Sequence, residues 1–301
     1  MNDAPRRAGF VAVIGAPNVG KSTLVNRLTG AKVSIVSPKV QTTRTRVLGI
    51  RAFGQTQIAF VDTPGLFRPR RRLDRAMVAA AWGGAGEADR LLLIVDAARD
   101  EDEDTQAIIA RLKEMGRRDV FLALNKVDIA AKPKLLARAD RLNRTGIFSD
   151  VFMISAETGD GVDDLLAALA GGMPEGPWLF PEDQVSDMPE RMLAAEITRE
   201  QLYLQLQQEL PYRATVETET WQERDDGSVR IEQIIYVERE GQRSIVLGKG
   251  GARIKAIGQA ARTELERILE RRVHLFLFVK VREKWGEDPE RYRALGLDFD
   301  V

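Results

Sequence analysis

Along the first half of the chain, short unbroken apolar runs alternate with segments of helical period. The runs are 10–15 (FVAVIG), 47–53 (VLGIRAF), 57–62 (QIAFVD), 90–96 (RLLLIVD), 119–125 (DVFLALN) and 150–155 (DVFMIS). Runs of this length with so little polar interruption fit strands covered on both faces. Helical patterns lie between them, for example at 21–29, 103–116 and 161–171. The alternation predicts an α/β domain, an open and mainly parallel sheet with helices on both faces. In such sheets ligands gather at the carboxyl ends of the strands.

Around 172–189 the pattern breaks. Pro174, Pro177, Pro181 and Pro189 fall in a stretch with neither helical nor strand periodicity, which reads as a linker. Beyond it the order changes. A helix over 190–209 stops before Pro211, and alternating runs at 213–221 and 229–239 flank a turn at DDGS. A short helix (243–247), the sequence GKGG (248–251), a long helix (252–271) and an alternating strand (273–281) follow. The prediction is therefore a first domain over 1–178, a linker over 179–189 and an α+β domain of order α-β-β-α-α-β over 190–301. No internal repeat or low-complexity tract is visible.

Composition narrows the function classes. A chain of 301 residues with 44% hydrophobic and 30% charged residues can fill two cores. Lys plus Arg and Asp plus Glu balance at 45 each, so contact with nucleic acid or an anionic surface has to come from a local patch. The absence of cysteine excludes disulfides and thiolate metal sites and fits a reducing cytosol. No apolar run reaches the ~18 residues of a membrane span, and residues 1–10 lack the apolar centre of a signal peptide. The expectation is a cytoplasmic protein.

Candidate chemistry follows the strand ends. Residues 15–22 (GAPNVGKS) fit G-x-x-x-x-G-K-[ST] between a strand and a helix. Gly15, Ala16, Pro17, Asn18, Val19 and Gly20 would form a loop whose N–H groups face phosphate. Lys21 would bridge the β- and γ-phosphates, Ser22 would hold Mg2+, and Thr23 continues the helix. Against this stands a chance glycine-rich turn. Asp62, Thr63, Pro64 and Gly65 close the third run; Asp62 would serve Mg2+ and the Gly65 N–H the γ-phosphate, although a Pro-Gly pair after Asp is also a plain turn. Between these motifs, 37–47 (SPKVQTTRTRV) offers a hydroxyl that could reach Mg2+ only when the γ-phosphate is present. Thr43 is the first choice and Thr42 the second. Lys21, Thr43 and Gly65 are thus the candidate catalytic groups.

Two further loops address the base. In 125–128 (NKVD), Asp128 can accept two hydrogen bonds from guanine and none in that arrangement from adenine. Lys126 would lie over base and ribose, Asn125 would tie the loop to the phosphate loop, and Val127 completes the turn. In 155–157, the Ala156 N–H could meet the guanine carbonyl, with Ser155 and Glu157 beside it; a plain helix N-cap is the alternative. These spaced elements together specify a GTPase that uses GTP/GDP and Mg2+.

The wording GAPNVGKST, QTTR, DTPGL, NKVD and SAETG resembles the Era branch of the translation-factor-related GTPases. One departure concerns mechanism: Leu66 stands where Ras-like enzymes carry a water-orienting Gln. By resemblance to potassium-dependent GTPases, Asn18 is a candidate K+ ligand; its other reading is a stabiliser of the loop turn.

In the second domain, 246–255 (VLGKGGARIK) within its α-β-β-α-α-β order resembles a type II KH domain, which clamps single-stranded RNA at a G-x-x-G loop. Gly248, Gly250 and Gly251 would let the nucleic-acid backbone approach, and Lys249, Arg253 and Lys255 would meet phosphates. From Arg243 to Arg262 there are five basic residues and no acidic one. Ile254 and Ile257 are candidates for an apolar groove floor or for ordinary core. His274 and Trp285 read as structural. The acidic run 99–104 reads as a helix cap, and the basic run 68–72 either as a solvated loop or as a nucleotide-dependent contact with RNA or protein.

The two resemblances together reach to about residue 295. They imply a GTP-driven switch in small ribosomal subunit assembly. Its KH domain would bind the 3′ end of 16S rRNA, and it would act as a monomer with peripheral inner-membrane association. The competing readings are a metabolic P-loop kinase, a membrane-associated signalling or cell-cycle GTPase with RNA binding secondary, and an RNA-binding module with a decayed nucleotide site.

Overall fold

The computed structural model describes residues 5–39, 42–69, 71–99, 103–207, 210–283 and 285–301. In chain order the elements are β1 (Arg7–Ile14), α1 (Lys21–Thr29), β2 (Val47–Phe53), β3 (Thr56–Asp62), α2 (Arg72–Glu87), β4 (Arg90–Asp96) and α3 (Glu103–Glu114). Next come β5 (Val120–Asn125), α4 (Lys132–Asn143), β6 (Phe148–Met153), α5 (Val162–Gly171), α6 (Glu190–Gln205), β7 (Ala214–Glu223) and β8 (Val229–Val237). The chain finishes with α7 (Glu240–Leu247), α8 (Ala252–Leu269), β9 (Val273–Val281) and α9 (Pro289–Ala294). No helix among the described residues is long and apolar enough to cross a membrane.

The chain forms two compact units. The first comprises Met1–Ser34, Thr43–Asp187 and Gly296–Val301; the second comprises Ile35–Thr42 and Met188–Leu295. The first unit is built on a six-stranded sheet of order β2-β3-β1-β4-β5-β6. Only β2 runs antiparallel to its neighbour. The continuous apolar runs are the central strands: Val11 to Ile14, Leu91 to Ile94 and Leu122 to Leu124 are wholly out of solvent. Parallel neighbours need helical crossovers, which is why helices separate the parallel runs, whereas the antiparallel β2 passes directly into β3.

Several expectations change at this level. The basic stretch at 68–72 runs into α2, which the polar start and the glycines at 83, 84 and 86 disguise as loop. The proline-rich stretch lies along the first unit as irregular chain. Gln57 bonds the backbone of Leu179 and Phe180 at 2.8–3.0 Å, and the Ile50 N–H donates to Val185 O at 2.9 Å. Prolines that remove ladder donors keep it out of the sheet. Of the acidic run, 100–102 lie outside the described residues, while Glu103 and Asp104 stand in the first turn of α3.

The second unit carries a three-stranded sheet, β7-β8-β9, with β8 and β9 parallel. Leu202 and Leu206, from α6 and the residue after it, Val246 of α7 and Ile257 of α8 pack on Ile235 and Val237 of β8. Helix α6 ends at Gln205 rather than 209, and α7 begins at Glu240 rather than 243. Ile35, from the first part of the sequence, enters this unit's core beside Ala194, Ile197 and Ala261.

Candidate functional site

At the carboxyl end of β1 the chain turns into α1 through the glycine-rich loop. Gly20 sits at φ 101, and a Cβ there would fall 2.3 Å from Asn125 Nδ2, so only glycine fits. The Asn125 side chain is the tie between loops: its Nδ2 donates to Val19 O at 2.8 Å and its Oδ1 accepts from the Ala156 N–H at 2.8 Å. The Ala156 N–H, which the sequence offers to the guanine carbonyl, here donates to Asn125, since a buried amide takes the partner within reach.

Lys21 is buried, and its Nζ donates to Gly15 O (3.1 Å) and Ala16 O (2.9 Å). Burial lowers its pKa to about 8, against the opposing pull of Asp62. An ammonium held only by its own loop's carbonyls is under-compensated, and phosphate oxygens would supply the missing charge. The DTPG loop comes very close: a Cβ on Gly65 would meet Pro17 Cα at 3.1 Å, and the Leu66 N–H donates to Gly15 O at 3.0 Å. Thr63 Oγ1 donates to Val13 O at 2.8 Å, which anchors that loop to β1. Leu66 is buried in the core, so its side chain takes no part in holding water.

Three oxygens converge beside Lys21. Ser22 Oγ lies 2.8 Å from Thr43 Oγ1 and donates to Asp62 Oδ2 at 2.8 Å, while Thr43 Oγ1 lies 3.3 Å from the same carboxylate oxygen. Thr42 points elsewhere, with its hydroxyl bonded to Lys39 O at 2.8 Å and to Ser37 Oγ at 2.7 Å. Thr43, the first choice, is the one brought to Ser22 and Asp62. Asp62 is fully buried, its Oδ1 has no hydrogen-bond partner, and burial raises its pKa. An all-oxygen donor set around an under-satisfied carboxylate fits Mg2+, which prefers such ligands and keeps several waters. When bound there, Mg2+ would neutralise charge on the phosphate oxygens.

The base-side loops are braced by residues that motif reading passed over. Lys126 (φ 68) donates from Nζ to Asn18 O at 2.8 Å and pairs with Asp96 at 2.7 Å. Arg27 of α1 donates to Ala156 O at 2.7 Å and to Glu157 O. Asp128 is exposed beyond them. Asn18 sits at φ 62, a left-handed geometry that Asn tolerates better than most residues. Arg27 and Asp96 carry no short motif; the signal was only a basic residue on the far turn of α1 and an Asp at a strand end.

In the second unit the GKGG stretch forms a tight turn between α7 and α8. Gly248, Gly250 and Gly251 have φ of 71°, 60° and 79°, and nothing lies within 4 Å of a Cβ built on Gly250 or Gly251. Lys249, Arg253 and Lys255 are exposed, Arg253 with one bond to Gln205 O at 3.0 Å. Arg243 is paired with Glu240 at 2.7 Å, so the basic patch is weaker at that end than its composition implied. Between α8 and β9 lies a groove of about 490 Å³ lined by Ile254, Lys255, Gly258, Gln259, Arg262 and Leu275 to Leu277. Ile254 is therefore a groove residue, whereas Ile257 is fully buried core. Gly258 keeps the groove open, since a Cβ there would press on Leu277 at 3.3 Å. His274 is half-buried on β9, and Trp285 is a buried anchor whose Nε1 donates to Arg213 O at 2.9 Å. The basic run ends in an intramolecular contact. The Arg72 guanidinium stands 4.4 Å from the Phe299 ring, and Arg75 Nε donates to Val301 O at 3.2 Å; Arg70 lies outside the described residues.

Comparison with known proteins agrees with both halves. Residues 10–126 match the family model of 50S ribosome-binding GTPases, and residues 209–286 match that of KH domains. The chain is 61% identical to GTPase Era of Afipia carboxidovorans over 98% of this chain and 96% of that one. It is 62% identical to GTPase Era of Rhizobium meliloti over 98% and 94%. Among solved structures, Aquifex aeolicus Era bound to GDP·AlF4− superposes with a TM-score of 0.91 at 38% identity, covering 98% of this chain and all of the other. Era in complex with MgGDPNP and nucleotides 1506–1542 of 16S ribosomal RNA superposes at 0.92, with the same identity and coverage.

Proposed function

This chain belongs to the Era family of GTPases, and from that membership we propose that it is a Mg2+-dependent GTP switch whose nucleotide state controls its grip on ribosomal RNA. The observation that carries the nucleotide half is the convergence of Lys21 with the Ser22–Thr43–Asp62 oxygens at a loop cross-braced by Asn125. In this reading Lys21 and the loop N–H groups hold the phosphates and withdraw charge as the γ-phosphoryl passes to water. Ser22, Thr43 and Asp62 hold the metal, and Asp128 reads guanine. With Leu66 buried, water has to be positioned by backbone, metal or a partner, so the unassisted rate is low.

The RNA half rests on the open GKGG turn beside the α8–β9 groove. The turn clamps the sugar-phosphate backbone and the groove receives unstacked bases, with the 3′ end of 16S rRNA as target. The 16S rRNA complex of the related Era favours this over a membrane-signalling role. Coupling has a chain-level basis. Ile35–Thr42 belongs to the second unit, and the next residue, Thr43, bonds Ser22 in the metal cage. The test is RNA affinity, measured with a 16S 3′-end oligonucleotide, in the GDPNP, GDP and nucleotide-free states. Equal affinity in all three removes the switch. Potassium at Asn18 is a further part of the proposal, checked by GTPase rates in KCl against NaCl. Peripheral membrane attachment is checked by flotation with anionic vesicles.

A further inference from the structure

Residues 35–42 belong to the second unit, and helix α6 of that unit holds them at several points. Ile35 enters the core beside Ala194 and Ile197. The Val36 N–H donates to Glu200 Oε1 at 2.8 Å. Lys39 Nζ donates to Tyr203 O and Leu206 O, carbonyls at the end of α6 that a helix leaves open to a cation. Thr42 folds the stretch on itself, with its hydroxyl donating to Lys39 O at 2.8 Å. The Thr42 carbonyl oxygen accepts from Arg199 Nη2 at 2.5 Å.

Arg199 is held firmly enough to fix that oxygen. It is only 2% exposed, and its Nε and Nη2 pair with the Glu196 carboxylate one turn earlier, Nε at 2.7 Å. One turn later stands the buried Tyr203 ring, its centre 5.2 Å from the guanidinium carbon. A planar guanidinium gripped on both sides has a set direction for its remaining Nη2 hydrogen. The oxygen that hydrogen meets is part of the peptide joining Thr42 to Thr43. Because a peptide is planar, fixing its oxygen fixes the plane from which Thr43 departs. Thr43 is the residue whose hydroxyl reaches Ser22 Oγ at 2.8 Å and Asp62 Oδ2 at 3.3 Å.

We propose that Arg199 is a positioning residue for the nucleotide site: by holding the Thr42 carbonyl it presents Thr43 to Ser22 and Asp62, and so favours the nucleotide that carries a γ-phosphate. The inference rests on the Mg2+-GTP switch proposed above, in which Thr43 serves the metal. Arg199 acts through one peptide bond, so its effect has to pass through Thr43. The competing reading is an arginine that only braces α6 through Glu196. It predicts a lower melting temperature and equal losses for every nucleotide.

The test is the ratio of GDPNP to GDP affinity in Mg2+, measured on the full chain with fluorescent nucleotides. Coupling between sites runs roughly 5–150-fold, so Arg199→Met should lower that ratio about tenfold, with GDP affinity within about twofold of the parent. Arg199→Met leaves Glu196 without its partner; if it melts early, Glu196→Gln combined with Arg199→Met removes the whole pair and takes its place. In a Thr43→Ala background the Arg199 change should leave the ratio unmoved, which a double-mutant cycle reads directly. With neither nucleotide nor metal present, the amides of residues 42–45 should exchange faster in the Arg199 variant while those of β7 to β9 keep parent rates. An unchanged ratio, equal losses for GDPNP and GDP, the full loss on top of Thr43→Ala, or unchanged exchange at 42–45 overturns the role of Arg199. A parent ratio that does not respond to Thr43→Ala alone overturns the metal reading of Thr43, and a parent that binds no guanine nucleotide overturns the nucleotide site; both are distinct from the first set.

Discussion

The phosphate loop and the GKGG turn are both glycine-rich and both precede a helix, yet they are built in opposite ways. Around residues 15–22 every neighbour is committed. Gly20 has no room for a Cβ, Lys21 is buried, and Asn125 and Lys126 bond the loop from across the sheet. Around residues 248–251, Gly250 and Gly251 face open space and the basic side chains reach solvent. The difference fits the ligands proposed for each. A triphosphate with its metal is small and fixed in shape, and transition-state stabilisation requires donors already in place. An RNA strand is long and variable in conformation, so its clamp needs an accessible backbone surface and point charges.

The contrast makes ordered predictions. Lys21→Ala removes the buried ammonium of the phosphate loop and should lower kcat for GTP by about a thousandfold or more while melting stays near that of the parent. Turnover within tenfold of the parent would deny the loop its role. Asn125→Ala breaks both cross-braces and leaves the Ala156 N–H and Val19 O unpaired. Its cost of roughly 1–3 kcal/mol per buried group should appear both as lower melting temperature and as weaker nucleotide binding. Asp128→Asn should move the preference from GTP towards XTP by roughly 10–100-fold, read by competition, without changing stability because the side chain is exposed.

On the RNA side the expected effects are smaller. Gly251→Asp adds a negative charge at φ 79 and should weaken RNA binding about tenfold with GTP affinity unchanged. Lys255→Ala should only flatten the salt dependence of RNA binding, by a slope of about 0.7 for one lost phosphate contact. If Lys255→Ala cost as much as Lys21→Ala does in its own assay, the idea of an open, redundant clamp would fail.

Much of this was readable from the residues. The apolar runs located all six strands of the first sheet, most plainly the central ones, because a strand buried on both faces has no polar side to disguise it. The motif loops stood at strand ends, as ligand chemistry in such a sheet requires. Helix α2 was hidden by its arginine start and its glycines, and its position became clear only through Met77, Ala81 and Ala85 packed out of solvent. Ile254 and Ile257 show the limit of periodicity. They lie three residues apart on one helix, so pattern alone placed them together, but one lines the groove and the other fills the core.

The sequence by itself determined which chemistry this protein can perform. Phosphate, Mg2+ and guanine each demand particular donors at particular spacings, and those donors occur as short contiguous words. Only the tertiary structure decided which of two adjacent threonines joins Ser22 and Asp62, and that Asn125 claims the Ala156 N–H. Each of those outcomes depends on residues far apart in the chain competing for the same buried partner, and that competition is settled by packing.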